Sequence, residues 1–235
     1  RRRVRRMVNR QSETEARIAA AIAEAEARTS GEIFCVLAGS VSSYRDVSLT
    51  WATAAALILP LLLIPLGFQP SWVPGFSEGW EAGHLAAQDA TLGHALAAYA
   101  LIQAGLFALT FLLVSIPAVR RRLTPRRIRT ARVRRAAVQQ FLAHGVHVTE
   151  ARTGVLLFAC LADHQVEVVA DSGIHARVDQ TVWADAAEAL ARGLKAGDAA
   201  AGFEAAIGLA GAVLAEHFPP AGRDRNELHD RLVVI

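Results

Sequence analysis

The chain has 235 residues, 53% of them apolar and 20% charged, with a formal net charge of +3 and a mean hydropathy of +0.28. Soluble domains average roughly 25% charged residues, so this composition excludes a disordered chain, a collagen-like chain and a highly charged coiled coil, and two cysteines exclude a disulfide-dense scaffold. Charge is unevenly spread: Val47–Ser77 and Ala90–Val119 contain none, which predicts a membrane protein.

Residues 1–11 form a basic N-terminal segment containing Arg1, Arg2, Arg3, Arg5 and Arg6. Ser12 followed by Glu15 has the form of a capping box. Behind it Ile18, Ile22 and Ala25 recur at helical spacing. Thr29-Ser30-Gly31 ends that helix, and Glu32–Ala38 (EIFCVLA) reads as a short buried strand. Residues 12–47 thus supply helix then strand, the first part of an α/β domain.

Two spans follow. A helix crosses a bilayer core with about 20 apolar residues, and Leu49–Phe68 and Leu92–Val119 meet that need. Membrane helices are assigned to 48–68 and 91–119, joined by a short extracytoplasmic loop at 69–90. Pro60 and Pro65 are tolerated as kinks, and Trp51 and Tyr99 suit interfacial anchors. Soluble core helices of this length keep a polar face. A signal peptide does not begin near residue 49 with a second span behind it.

Lys and Arg set the orientation. The loop has neither, but carries Glu78, Glu81 and Asp89, and its Trp72, Pro74, Gly75 and Trp80 suit a segment against the outer interface. Arg45 precedes the first span. Arg120, Arg121, Arg122, Arg126, Arg127, Arg129, Arg132, Arg134 and Arg135 follow the second. Both termini are therefore expected in the cytoplasm. With Lys195 the only lysine, the Arg bias fits GC-rich bacterial coding, hence a two-pass protein of a bacterial inner membrane. The Arg clusters read as topology signals that attract anionic headgroups, at about 1 kcal/mol per Arg near the surface. Arg120, Arg121, Arg122, Arg126, Arg127 and Arg129 are the membrane-surface candidates. Without interleaved aromatics or a recognition motif, nucleic acid is not expected as a partner.

Residues 120–218 complete the domain. Pro125–His144 reads as a helix with Ile128, Val133, Ala137 and Phe141 facing inward, stopped by Gly145. Gly154–Leu161 is a buried strand, Ala162-Asp163-His164 a turn and Gln165–Ala170 an alternating strand. Asp171–His175 reads as a loop and Asp179–Leu194 as an amphipathic helix. A last helix, capped by Asp198, runs to His217, and Pro219-Pro220 ends it. Residues 219–235 read as a loose polar tail. Fully apolar strands require cover on both faces, so the expected fold is α/β: a three-layer α/β/α sandwich with a two-helix transmembrane hairpin inserted after its first strand.

Several motifs in order carry a family resemblance. Arg152-Thr153-Gly154-Val155-Leu156-Leu157, then Gln165-Val166-Glu167-Val168-Val169, resembles the Asp-Asn-Gly-Val-Leu-Leu signature and alternating strand of the TPM-domain family. Asp171-Ser172-Gly173-Ile174-His175-Ala176 stands where that family has Gly-Tyr-Gly-Leu-Glu-Gly. Leu194-Lys195-Ala196-Gly197-Asp198 through Gly202-Phe203 resembles its closing Phe-x-x-Gly-Asp-Tyr-x-x-Gly-Leu. Gly31–Leu37 resembles its opening strand. The resemblance covers roughly 12–40 and 126–217. It implies an α/β/α domain, a phosphatase label, and in some members calcium held by acidic loops. Bacterial relatives are commonly membrane-anchored.

The chain departs from that pattern where the chemistry would sit. Arg152 replaces the family's Asp and His175 its Glu. Divalent cations need several oxygen ligands, so a Ca or Mg site is weakened and no cofactor is expected. The remaining metal candidates are Asp163, Asp171 and Asp179. The catalytic candidates are Asp163 and Asp171 as acid, base or ligand, with Arg152 as a phosphate grip. Cys35 and Cys160 read as inert core thiols. His144, His147, His164 and His175 read as surface or turn histidines, since no zinc spacing accompanies them. Trp183 reads as core, and Gly208 and Gly211 as close-packing positions. The expected function is an accessory or interaction module for another membrane protein; the alternative is a metal-dependent phosphomonoesterase.

Overall fold

In a computed structural model the described residues are 2–63, 85–149, 151–220, 228 and 231–235. In chain order, α1 (Arg2–Glu26) and β1 (Glu32–Ala38) precede α2 (Arg45–Leu63), α3 (Leu85–Ser115) and α4 (Pro117–Leu123). There follow α5 (Arg126–Ala143), β2 (Gly154–Cys160), β3 (Gln165–Ala170), α6 (Ser172–His175), α7 (Ala184–Ala196), α8 (Ala199–His217) and β4 (Leu232–Val234). The chain forms two compact units: Arg1–Ser42 with Arg126–Ile235, and Ser43–Pro125.

The first unit is a mixed α/β fold on a four-stranded sheet of order β3-β2-β1-β4. β1 is parallel to β2 and to β4, while β3 is antiparallel to β2. Alternation along β1 and β2 sorts side chains between two cores. Ile33, Cys35, Val155, Leu157 and Ala159 pack with Ile18 and Ile22 of α1, Leu190 of α7, and Phe203, Ile207 and Leu214 of α8. Phe34, Val36, Leu156, Phe158 and Cys160 pack with Val133, Ala137 and Phe141 of α5. β2 is buried along its whole length, as a strand covered on both faces must be. By length and composition alone α8 could cross a membrane. Instead it puts Phe203, Ala206, Ile207, Ala210 and Leu214 into the first core.

Several expectations are corrected. The first helix begins at Arg2, so Ser12 and Glu15 lie inside it and residues 2–11 are not a separate segment. Arginine is a good helix former and no breaker separates the two parts. The 219–235 tail contains β4, whose Leu232, Val233 and Val234 stand opposite Cys35, Val36 and Leu37 and occupy the second edge of β1. Ile128 is 39% exposed: five residues before Val133, it falls well off the buried 133/137/141 stripe. Asp171–His175 is not an open loop, since Asp171 caps the helical turn α6. Gln180–Trp183 is a 3₁₀ turn leading into α7.

The second unit carries the long apolar helices. α2 is about 28 Å long and α3 about 46 Å. Pro60 lies inside α2 without ending it. The segment expected as one span over 91–119 breaks at Ile116, where α4 turns off α3 at 96°. Pro117 stands at the first turn of α4, where its missing N–H costs nothing but the ladder from α3 is cut. α3 also takes Leu85–Ala90 of the expected loop. Pro65, Trp72, Pro74, Gly75, Glu78, Trp80 and Glu81 lie outside the described residues. Trp51 is 44% exposed and Tyr99 36%.

Candidate functional site

The two ends of the inserted segment meet at Arg120. Its guanidinium donates to the Ser43 carbonyl oxygen at 2.8 Å and stands 6.0 Å from the centroid of the Tyr44 ring. Tyr44 is buried and left-handed, with φ of 50°, a conformation that turns the chain sharply into α2. Its amide neighbourhood is closed by Val47 N–H and Ser48 N–H, which both donate to the Tyr44 carbonyl. At the other end Thr124 donates through backbone N–H and hydroxyl to the Arg120 carbonyl. One cation thus clasps the root of the insertion. Among the anchoring aromatics read from sequence Tyr44 was missing; a Tyr just ahead of an apolar run was the available signal.

The remaining arginines divide by environment. Arg132 donates to the Ser42 hydroxyl at 2.7 Å, and Arg134 reaches Glu167 at 3.4 Å. Arg129 is half-buried, and its Nε has no partner among the described residues. Arg121, Arg122, Arg126 and Arg127 are exposed. Glu167, which the sequence reading passed over, is the acidic partner of this cluster. Burial lifts its carboxyl above the ordinary carboxylate range, against the opposing pull of Arg134.

The acidic candidates do not converge. Asp163 is buried in the turn joining β2 and β3, where the Cys160 thiol donates to its Oδ2 at 3.5 Å. Asp171 lies at the far end of β3, about 20 Å away along an extended strand. Its Oδ1 accepts from the Ser172 amide at 2.5 Å and the Ser172 hydroxyl at 3.0 Å. Its Oδ2 is buried without a hydrogen-bond partner among the described residues. Asp179 is exposed and caps the turn at Thr181, accepting from its N–H and hydroxyl at 2.8 Å each. Those bonds hold its carboxyl below the ordinary range. Arg152 shares the Asp171 end of the sheet: Gly173 of α6 packs so closely on the Arg152 carbonyl that a Cβ there would collide. The Arg152 side chain itself is exposed and its backbone left-handed, with φ of 52°. His175 contacts the Asp171 carbonyl through Nδ1 at 3.0 Å. Among the described residues no three His, Cys, Asp or Glu side chains are grouped to hold a metal.

The other candidates are structural. Cys35 and Cys160 are buried free thiols, and burial raises both above the ordinary thiol range. Trp183 is buried in the first core. His144 packs on Phe34 with 4.8 Å between ring centroids; burial first, and Arg231 second, lower its basicity. Gly211 admits Ala25, whose Cβ would stand 2.8 Å from a Cβ on the glycine, whereas a Cβ on Gly208 meets nothing within 4 Å among the described residues. The close-packing reading therefore holds for Gly211 alone of these two.

A family model described as TPM domain matches residues 122–213. Among solved structures, the NMR structure of BA42 protein from the psychrophilic bacterium Bizionia argentinensis is similar in fold. The TM-score is 0.52 at 18% identity, covering 95% of this chain and 94% of that one. No curated protein matches the chain.

Proposed function

We propose that the protein is a two-pass membrane protein in which α2 and α3 cross the bilayer, with the TPM domain held at its cytoplasmic face as an accessory or interaction module for another membrane protein. The observation that carries the reading is the apolar surface of the two helices. Leu57, Ile58, Leu61 and Leu62 on α2 are 53–58% exposed, and Leu101, Leu109 and Leu112 on α3 are 57–66% exposed. Water does not tolerate so large an apolar patch on a monomer. α2 matches the roughly 30 Å bilayer core, and the last 20 residues of α3 do the same. The Arg residues on one side of both helices favour cytoplasmic termini and attraction to anionic lipid. For a partner protein, Val138 and Leu142 offer an exposed apolar pair one turn apart on α5, and Val148 nearby is 70% exposed. Phosphomonoester hydrolysis is not favoured, because Asp163 and Asp171 stand at opposite ends of β3 and cannot share one phosphate.

Carbonate extraction and cysteine labelling test the reading. Full-length protein is expected to stay in the membrane pellet at pH about 11, as embedded helices do. A Ser77→Cys variant should react with an impermeant maleimide in intact spheroplasts. A Ser12→Cys variant should react only after lysis. Release by carbonate, or the reverse labelling order, overturns it. Hydrolysis of p-nitrophenyl phosphate by detergent-purified protein, dependent on Mg²⁺ or Ca²⁺ and lost in Asp171→Asn, would replace the module reading with the enzyme.

A further inference from the structure

We infer that α4 is an interfacial anchor lying along the cytoplasmic headgroup layer, where Arg121 and Arg122 bind the phosphate of anionic phospholipid. This rests on the membrane reading of α2 and α3. The 96° turn between α3 and α4 carries it first: when α3 runs along the bilayer normal, α4 runs in the plane of the leaflet. The sequence of α4 suits that plane. Ile116, Val119 and Leu123 recur at three- and four-residue spacing and share one side, while Arg121 falls opposite them and Arg122 on the flank. No residue of α4 is buried, and Ile116 is 47% exposed. This is the amphipathic pattern of a helix at a membrane surface.

The three adjacent arginines have different duties. Arg120 is held by the Ser43 carbonyl and the Tyr44 ring. That clasp fixes the rotation of α4 about its own axis and leaves Arg121 and Arg122 exposed. A guanidinium fork matches a phosphate bidentately, and its aliphatic stem reaches over the apolar layer. The apolar side of α4 makes a lipid headgroup, rather than free phosphate, the ligand.

Native mass spectrometry of the full-length, detergent-extracted protein tests this, with equimolar phosphatidylglycerol and phosphatidylcholine of matched chains. Wild type is expected to retain phosphatidylglycerol preferentially. Arg121→Gln with Arg122→Gln should reduce that preference by about fivefold for each arginine, from about 1 kcal/mol apiece. Arg192→Gln with Lys195→Gln, an equal charge change on α7, should leave it unchanged. Inorganic phosphate at matched ionic strength should not displace the lipid. Should the glutamine variant fail to fold, Arg121→Lys with Arg122→Lys keeps the charge and loses the fork, and a weakened preference is expected. Equal retention of both lipids by wild type, no effect of any α4 variant, or displacement by phosphate overturns the proposal while the protein remains carbonate-resistant. Release by carbonate overturns the membrane reading and this one with it.

Discussion

Gly193 and Gly202 are the point at which α7 and α8 touch backbone to backbone: a Cβ on Gly193 would collide with the Cα of Gly202. Both helices cover the same face of the sheet, and Leu190 and Phe203 reach the core on either side of the contact. Gly193→Ala is therefore expected to lower stability by about 1–3 kcal/mol through overpacking. Gly208→Ala, on the open side of α8 with nothing among the described residues within 4 Å, should raise it by about 0.5–1 kcal/mol. Thermal unfolding of the two variants in one detergent checks the contrast, and equal effects would refute the assigned contact.

Glu167 gives the fold a pH dependence of known sign. Its carboxyl is raised above the ordinary 4.5 by burial, with Arg134 only partly opposing. A raised acid contributes stability that is complete below its ordinary value and is lost as pH rises through the folded value. Glu167→Gln should thus gain on wild type between pH 4 and pH 7. Denaturant midpoints at the two pH values measure it; a difference that does not move with pH contradicts the burial argument.

Asp171 is a cap first. Asp171→Ala should cost about 1 kcal/mol through loss of the bond to the Ser172 amide, while Asp171→Asn keeps an accepting oxygen and gives the site of the orphaned Oδ2 a neutral amide. The asparagine variant is expected to unfold near wild type. Millimolar Ca²⁺ should shift neither protein, because Arg152 and His175 stand where carboxylates would be needed. A calcium-induced rise in the wild-type midpoint that Asp171→Asn abolishes would restore a metal role.

The thiols should be silent in the native state. Burial raises both Cys35 and Cys160 above the ordinary thiol range, and the thiolate is the reactive form. Iodoacetamide at pH about 8 is expected to modify neither until denaturant is added. Modification of the folded protein at Cys160 would show that the Asp163 turn opens.

The strands with strong local signals were legible. β1 coincides with the run read as EIFCVLA because turn residues bound the apolar stretch that follows Glu32. Asp198 and Gly145 mark helix boundaries by chemistry that is local to them: a carboxylate accepting from Ala201 N–H, and a φ of 70°. β4 was not legible. Three residues have no period, and Leu232–Val234 become a strand only because β1 has an unpaired edge. The bend at Pro117 was hidden for a related reason: Pro60 sits in a similar apolar run and leaves α2 intact. Whether the acidic candidates converge was not legible, because spacing in sequence does not fix distance in space: β3, Gln165–Ala170, holds Asp163 and Asp171 a strand's length apart. The clasp at Arg120 was beyond reach, since nothing in a sequence ties position 120 to positions 43 and 44.

That clasp also bears on how the sheet is assembled. Glu32 of β1 is paired with Gly154 of β2, so the central strand pair closes across the whole inserted segment. If the root of the insertion is fastened first, the free chain between the strands falls from about 115 residues to about 40, which lowers the entropy of closing the loop by about 1 kcal/mol. Fastening Tyr44 to Arg120 early makes two distant halves of one domain behave, during folding, as near neighbours.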